Sequence, residues 1–404
     1  MPVKTRRVAV FGETHSSNLG DGVIYDCISY LFGKHGVTTI PVDLSGRPES
    51  VPAAGAQAEF VEPGALRKLL RKPFQRNRQL GRAHAALDWY VRKRRRQVRQ
   101  WSHVIKSCDA VVIGGGHLLT DRFFRFPPRI SEVARRAKMY GKPLAVFGCG
   151  SEQSWGYLAS KLYSSALQQA VYVSVRDQNS ASLLSKYVSC DVSVNVHPDP
   201  AFVVGELKPA LVGLDQSDVL GVNLQPANDF RRHVPSLSAL TDQQYCEFWA
   251  KVVVGASTSG KQVRLLTNGS WEDYSTARKV VALVHKQGVA IELEPRPLHV
   301  NELLEQISKL SSIVSTRMHA GIVAGSLGKS VAPISWDPKV SAVWAQVEGQ
   351  KCVLPAEIIL SQDPWLTIEK VLTDQSADSF DVSKDIESIE SAVRNCLSAV
   401  GIDV

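Results

Sequence analysis

Short, nearly continuous apolar runs recur from Val8 onward, separated by longer stretches whose apolar residues fall at helical spacing, the pattern of parallel strands joined by helices. The runs VAVFG (8–12), VTTIPVD (37–43), AVVIG (110–114), PLAVFG (143–148), VYVSV (171–175) and VSVNVHP (192–198) predict six strands, with helices over 20–32, 127–140, 155–169 and 177–187. A strand that is apolar throughout needs cover on both faces, so this pattern predicts a doubly wound α/β sheet.

Pro198 and Pro200 in PDPAF close that unit, and the loop-like GELKPALVGLDQSD after it predicts a hinge near 205–216. A second series follows: DVLGVNL (218–224), KQVRLLT (261–267), VAIELE (289–294), SSIVST (311–316) and KSVAPIS (329–335), with helices near 239–258, 272–287, 300–309 and 318–327. The expectation is two Rossmann-like parallel-sheet domains, 1–205 and 206–348, facing one cleft that holds the ligand. The tail 349–404 carries PWLTIEKVLTD and DIESIESAVRNCLSAV, which read as helices that pack back across the hinge.

Composition changes this picture little. With 404 residues, 44% hydrophobic and 21% charged, the chain is of globular type and long enough for two domains. No run approaches the roughly 18–20 apolar residues of a membrane span. MPVKTRRVAVFG reads as a buried first strand rather than a signal peptide, so a cytoplasmic protein is expected, either free or peripheral at the inner face of the membrane. The seven cysteines are scattered without a C-x-x-C pair, which argues against a disulfide framework or a zinc site and for reduced core residues.

Charge adds one feature. Between Gly64 and Lys106 there are 14 Lys or Arg against the single acid Asp88, an excess of +13 that leaves the rest of the chain at −5. The segment reads as two helices, or a helical insertion, interrupted by Pro73 and Gly81. One reading is a surface for polyanions: anionic phospholipid, a polyprenyl-diphosphate-linked sugar or an acidic polysaccharide. The other is a solvated helix face. No nucleic-acid-binding motif accompanies the charge.

In open parallel sheets ligands bind beyond the carboxyl ends of the strands, and four such positions carry candidate chemistry. After the first strand, GETHSSNLGDGVI brings Asn18, Gly20 and Asp21 to a helix start, where they either hold an anion or cap the helix. After the third, Gly114, Gly115 and Gly116 permit close backbone approach to a phosphate or carboxylate, although neither a dinucleotide nor a P-loop fingerprint is complete, and His117 follows as a binding or structural histidine. After VYVSV, Arg176 offers a fork for a carboxylate or phosphate while Asp177 reads as a helix cap. The fourth stretch, SSIVSTRMHAGIVAGSLGKSVAPISWDPKV, sets Arg317 and His319 two positions apart at a helix start, with Asp337 and Lys339 on the next loop.

Taken in order, NLGD, the glycine triplet, SVRDQNSASLL, PDPAF and STRMHAGIVAGSLGKSVAPISWDPKV resemble the polysaccharide pyruvyl transferase family across roughly residues 8–340. The resemblance implies a glycosyltransferase-B-like arrangement, phosphoenolpyruvate as donor, a saccharide acceptor and no metal or nucleotide cofactor. By motif position it implies that Arg176 and Arg317 hold the anionic groups of the donor and that His319 lies at its reacting end as acid or base. His117 has no secure counterpart in the family pattern, and the basic segment 64–106 departs from a minimal member. Two other readings stay open: a nucleotide-sugar-dependent glycosyltransferase of the same architecture, and a non-catalytic glycan- or membrane-surface-binding protein.

Overall fold

The computed structural model describes residues 5–47, 78–214, 218–347, 349–375 and 382–404. They form two compact units, each built on a six-stranded parallel sheet. The first comprises Met1–His15, Ile28–His197 and Ser388–Val404, and the second Ser16–Cys27 and Pro198–Glu387.

In the first unit the strands β1 (Arg6–Gly12), β2 (Val37–Asp43), β3 (Ala110–Gly114), β4 (Leu144–Cys149), β5 (Ala170–Val175) and β6 (Val194–Val196) stand in the order β2-β1-β3-β4-β5-β6. The middle strands β3 and β4 are buried at every position, as their unbroken apolar sequence requires. Pro41, which cannot donate to a ladder, lies on the edge strand β2 opposite Val10. Helix Arg94–Ser107 turns Val98, Trp101 and Ile105 onto this sheet, where the rings of Trp101 and Phe11 meet edge to face at 5.9 Å.

The second sheet holds β7 (Val219–Asn223), β8 (Gln262–Leu266), β9 (Glu292–Leu293), β10 (Ser312–Ser315), β11 (Ser330–Ser335) and β12 (Leu354–Pro355) in the order β12-β11-β10-β7-β8-β9. Its helices start on named caps. Thr241 and Gln244 form a reciprocal capping box before Asp242–Thr258, the Ser270 hydroxyl accepts from the Asp273 amide, and Asp337 caps Pro338–Gln346. Helix Met318–Ser326 is buried from end to end, which its small residues Ala320, Gly321, Ala324 and Gly325 permit.

Several boundaries differ from the sequence expectation. The chain passes to the second unit at Pro198 rather than near 205, and Ser16–Cys27 belongs to that second unit despite its early position. The tail adds a short strand, β12, to its two helices Pro364–Thr373 and Ser383–Ala399, and only Ser388–Val404 returns to the first unit. Gly81 does not interrupt a helix: it is buried within Arg78–Asp88, and the break from helix Arg94–Ser107 is instead a π turn, Trp89–Lys93. Pro73 and the rest of the basic run before 78 lie outside the described residues. All seven cysteines are free thiols, and Cys190 is exposed while the other six are buried.

Candidate functional site

Each unit gathers polar side chains at the carboxyl ends of its strands. In the first, β3 ends at Gly114, and Gly115 and Gly116 then take φ of +73° and +74°, backbone that favours glycine. The Gly115 amide donates to the Phe147 carbonyl (3.0 Å) and the Gly150 amide to the Gly116 carbonyl (2.8 Å), so the triplet is stitched to the end of β4. A Cβ on Gly12 would come within 2.9 Å of the Gly114 carbonyl oxygen. These glycines therefore serve close chain packing at the strand ends, with the Gly115 amide engaged in the backbone.

His117 and Arg176 meet over Gly150. A Cβ there would fall 2.9 Å from His117 Nδ1, 2.9 Å from Arg176 Nε and 3.1 Å from Arg176 Nη2. Arg176, just past β5, is only 1% exposed, and His117 is half-buried. Asp177 beside it is a cap, its carboxylate accepting from the Ser180 amide and hydroxyl, both at 2.7 Å.

In the second unit the strand order reverses at β7, which stands between β10 and β8, the switch point where open sheets take ligands. Arg317 leaves the end of β10, and its Nε and Nη2 donate to the two carboxylate oxygens of Asp273 at 2.8 and 2.6 Å. Burial alone would lower the pKa of this guanidinium, but the Asp273 carboxylate outweighs it and holds the pKa above its ordinary value. The fork that the sequence offers to a ligand is thus occupied along one edge by a fully buried aspartate.

His319, 7% exposed, is the second residue of helix Met318–Ser326, which follows. Its Nε2 lies 3.7 Å from Asp199 Oδ2, beyond hydrogen-bond reach, and the other carboxylate oxygen of Asp199 accepts from the Ala201 amide at 3.0 Å. The NLGD loop reaches the same place. The Leu19 amide donates to the Asn268 carbonyl at 2.8 Å, and a Cβ on Gly20 would stand 2.8 Å from His319 Cβ and Nδ1. Asn18 has a buried amide oxygen, and Asp21, in the first turn of helix Gly20–Gly33, contributes to the field that favours the charged form of Arg317. Lys339 lies not on the loop after β11 but in the first turn of helix Pro338–Gln346, its ammonium 4.6 Å above the Trp336 ring and 3.9 Å from Asp337, which also meets His233 Nδ1 at 3.1 Å.

Sequence reasoning missed the polar residues that complete this end of the sheet. Asn223 donates to Asn268 Oδ1 at 3.0 Å, and Gln225 is fully buried with no hydrogen-bond partner for either side-chain amide atom among the described residues. The available signal was local: NLQ and LTN place amides directly after the buried strands β7 and β8. Asp273 carried no such signal, since it caps nothing and meets Arg317 across 44 residues of sequence.

Among solved structures the chain is similar to the UDP-GlcNAc 2-epimerase of Methanocaldococcus jannaschii, with TM-score 0.57 and 9% identity over 97% of this chain and 99% of that one. It is also similar to the S. aureus MnaA–UDP co-structure (0.51, 13% identity, 99% and 100% covered) and to the UDP-N-acetylglucosamine 2-epimerase of Rickettsia bellii (0.50, 10% identity, 98% and 95% covered). At these identities the likeness is one of fold, the glycosyltransferase-B type with two Rossmann-like sheets. No curated protein sequence matches the chain significantly. A profile of polysaccharide pyruvyl transferases, however, matches residues 18–338, from the NLGD loop through the Arg317–His319 turn to the start of helix Pro338–Gln346, and the chain belongs to the polysaccharide pyruvyl transferase family.

Proposed function

We propose that the protein transfers the pyruvyl group of phosphoenolpyruvate to two hydroxyls of a saccharide acceptor, forming a pyruvate ketal in exopolysaccharide or cell-surface glycan synthesis. Family membership over residues 18–338 carries this reading. What supports it in the second unit is a nearly buried imidazole, His319, with a carboxylate 3.7 Å from its Nε2 and a fixed guanidinium two residues before it.

In the proposed sequence, His319 in its protonated form gives a proton to the methylene carbon of phosphoenolpyruvate, and C2 takes on oxocarbenium character. One acceptor hydroxyl forms a bond to C2 and returns its proton to His319. The C2–O bond to phosphate then breaks, a second hydroxyl closes the ring on C2, and its proton leaves with phosphate. Arg176 binds an anionic group of the donor, and Arg317, steadied by Asp273, supplies positive charge where phosphate charge develops. The acceptor is a sugar that is free, polymeric or polyprenyl-diphosphate-linked, and a reaction drawing on phosphoenolpyruvate is placed in the cytoplasm.

The test is calorimetric titration with phosphoenolpyruvate against a nucleoside diphosphate sugar, followed by phosphate release in the presence of candidate acceptors. The reading expects saturable phosphoenolpyruvate binding that Arg176→Ala weakens, and phosphate release that His319→Ala lowers by roughly a hundredfold or more with the fold intact. Binding of the nucleotide sugar alone overturns it in favour of a glycosyltransferase, and near-normal turnover in folded His319→Ala removes that residue from the chemistry.

A further inference from the structure

We infer that the helical segment over 78–106 is a docking surface for an anionic phospholipid membrane. Nine Lys or Arg stand there against the one acid Asp88, and five more, Arg67, Lys68, Arg71, Lys72 and Arg76, precede them in sequence outside the described residues. The structure sorts these charges. Arg82 and Arg94 are tied to Asp121 and Glu132 at 2.8 and 3.0 Å, and Arg92 and Lys93 lie 3.6 and 2.7 Å from Asp88. Arg95, Arg96, Arg99 and Lys106 are exposed and have no acidic partner within 4.0 Å among the described residues.

These cations are aimed outward by the packing of their own helix. Val98, Trp101 and Ile105 are buried positions of this helix, and Arg95, Arg99 and Lys106 fall on one exposed stripe beside them, along an open groove of about 490 Å³ whose lining also includes Val98 and, from the neighbouring helix, Arg136. Just before this helix, the π turn buries Trp89 while Tyr90 and Val91 stay 49% and 67% exposed, with Leu87 64% exposed one turn earlier. That display is fixed rather than frayed, because the Trp89 indole donates to Gln97 and its ring lies under the Arg129 guanidinium at 5.3 Å.

The combination selects the partner. A polyanion in water satisfies the arginines but leaves Leu87 and Val91 wet, whereas a phospholipid surface meets the cations with phosphate and the apolar side chains with the acyl boundary. No helix among the described residues is long and apolar enough to cross a membrane, so this contact is peripheral.

Flotation of the full-length protein with phosphatidylglycerol–phosphatidylcholine vesicles, against phosphatidylcholine alone, tests the inference. Binding is expected only to the anionic vesicles and should weaken with salt. Arg95→Glu with Arg96→Glu and Arg99→Glu should lower it by roughly a hundredfold or more, at about 1 kcal/mol per basic residue. Leu87→Ser with Val91→Ser should lower it as well, and all these positions are exposed, so circular dichroism should show an unchanged fold. Equal binding to both vesicle types, or unchanged binding by the triple variant, overturns the inference. So does an undiminished affinity of the Leu87→Ser, Val91→Ser variant, which, with comparable binding to a soluble polyanion such as heparin, would assign the patch to a polyanionic chain instead.

Discussion

Replacing Asp273 with alanine isolates the interaction on which the second unit's site is built. The carboxylate is fully buried and accepts two charge-assisted hydrogen bonds, at 2.8 and 2.6 Å, from Arg317, whose side chain is one-fifth exposed. Without it the guanidinium keeps its charge in a site that gives it little water, and removing one member of such a buried pair costs about 3–5 kcal/mol. For a unit of this size that is a fall of roughly 10 °C in the unfolding midpoint. Urea unfolding gives the free energy, and hydrogen exchange over 262–326 shows whether the loss is confined to β8, β10 and their helices. The double variant Asp273→Leu, Arg317→Met should be considerably more stable than Asp273→Ala, because removing both charges also removes the cost of holding them out of water. A cost below about 1 kcal/mol for Asp273→Ala, the range of a solvated surface pair, would refute the reasoning. So would a double variant that loses the sum of the two single effects.

Gly20→Ala should lower pyruvyl transfer by roughly a hundredfold, because its Cβ would stand 2.8 Å from His319 Cβ and Nδ1 and must displace the imidazole; phosphate release with the fold intact measures this, and wild-type turnover counts against it. Burial pushes the Asp26 carboxyl up to about 6, with Lys208 acting partly against it. The folded state therefore holds that proton more tightly than the unfolded chain, and the stabilisation, full below the unfolded carboxyl pKa of about 3.9, is lost as pH rises through 6, a swing of about 2–3 kcal/mol. Asp26→Asn should flatten the stability profile over that window and raise stability at neutral pH, and an unchanged profile would contradict the assignment. Gln225→Met should gain about 1–2 kcal/mol in urea unfolding, since it relieves a fully buried amide without partners among the described residues, while weakening ligand binding at the switch point. A loss of stability would show that the amide is satisfied in solution.

The sheets were legible because parallel strands covered on both faces are written as unbroken apolar runs. AVVIG and VTTIPVD are β3 and β2 to the residue, whereas VAIELE shrinks to the two-residue edge strand β9 and β12 left no readable pattern in LP. Caps were legible for the same local reason, and Asp177 accepts from Ser180 as its position at a helix start requires. What the sequence could not carry is non-local. The chain returns residues 16–27 to the second unit, through bonds such as Leu19 to Asn268, and it pairs Arg317 with an aspartate that nothing in its own neighbourhood marks. An arginine at a strand end reads as an open fork whether or not a carboxylate from another helix has already closed one edge of it.

Glycine carries a similar lesson with the opposite sign. In the sequence, glycines after strands read as cradles for a phosphate, yet where contacts are tight they act by leaving room. Gly150 makes room for Arg176 and His117, and Gly20 for His319, while a Cβ on Gly269, at φ +96°, would fall 3.0 Å from Leu19 Cγ and from the Ser17 carbonyl oxygen. In each case a polar side chain or the loop bearing Asn18 is pressed against bare backbone, and a side chain so confined has few rotamers left to lose when a ligand arrives. His117 and Arg176 in the first unit, and His319 in the second, are therefore each held in place by the bare backbone beside them, so that under the proposed chemistry none has first to reorganise.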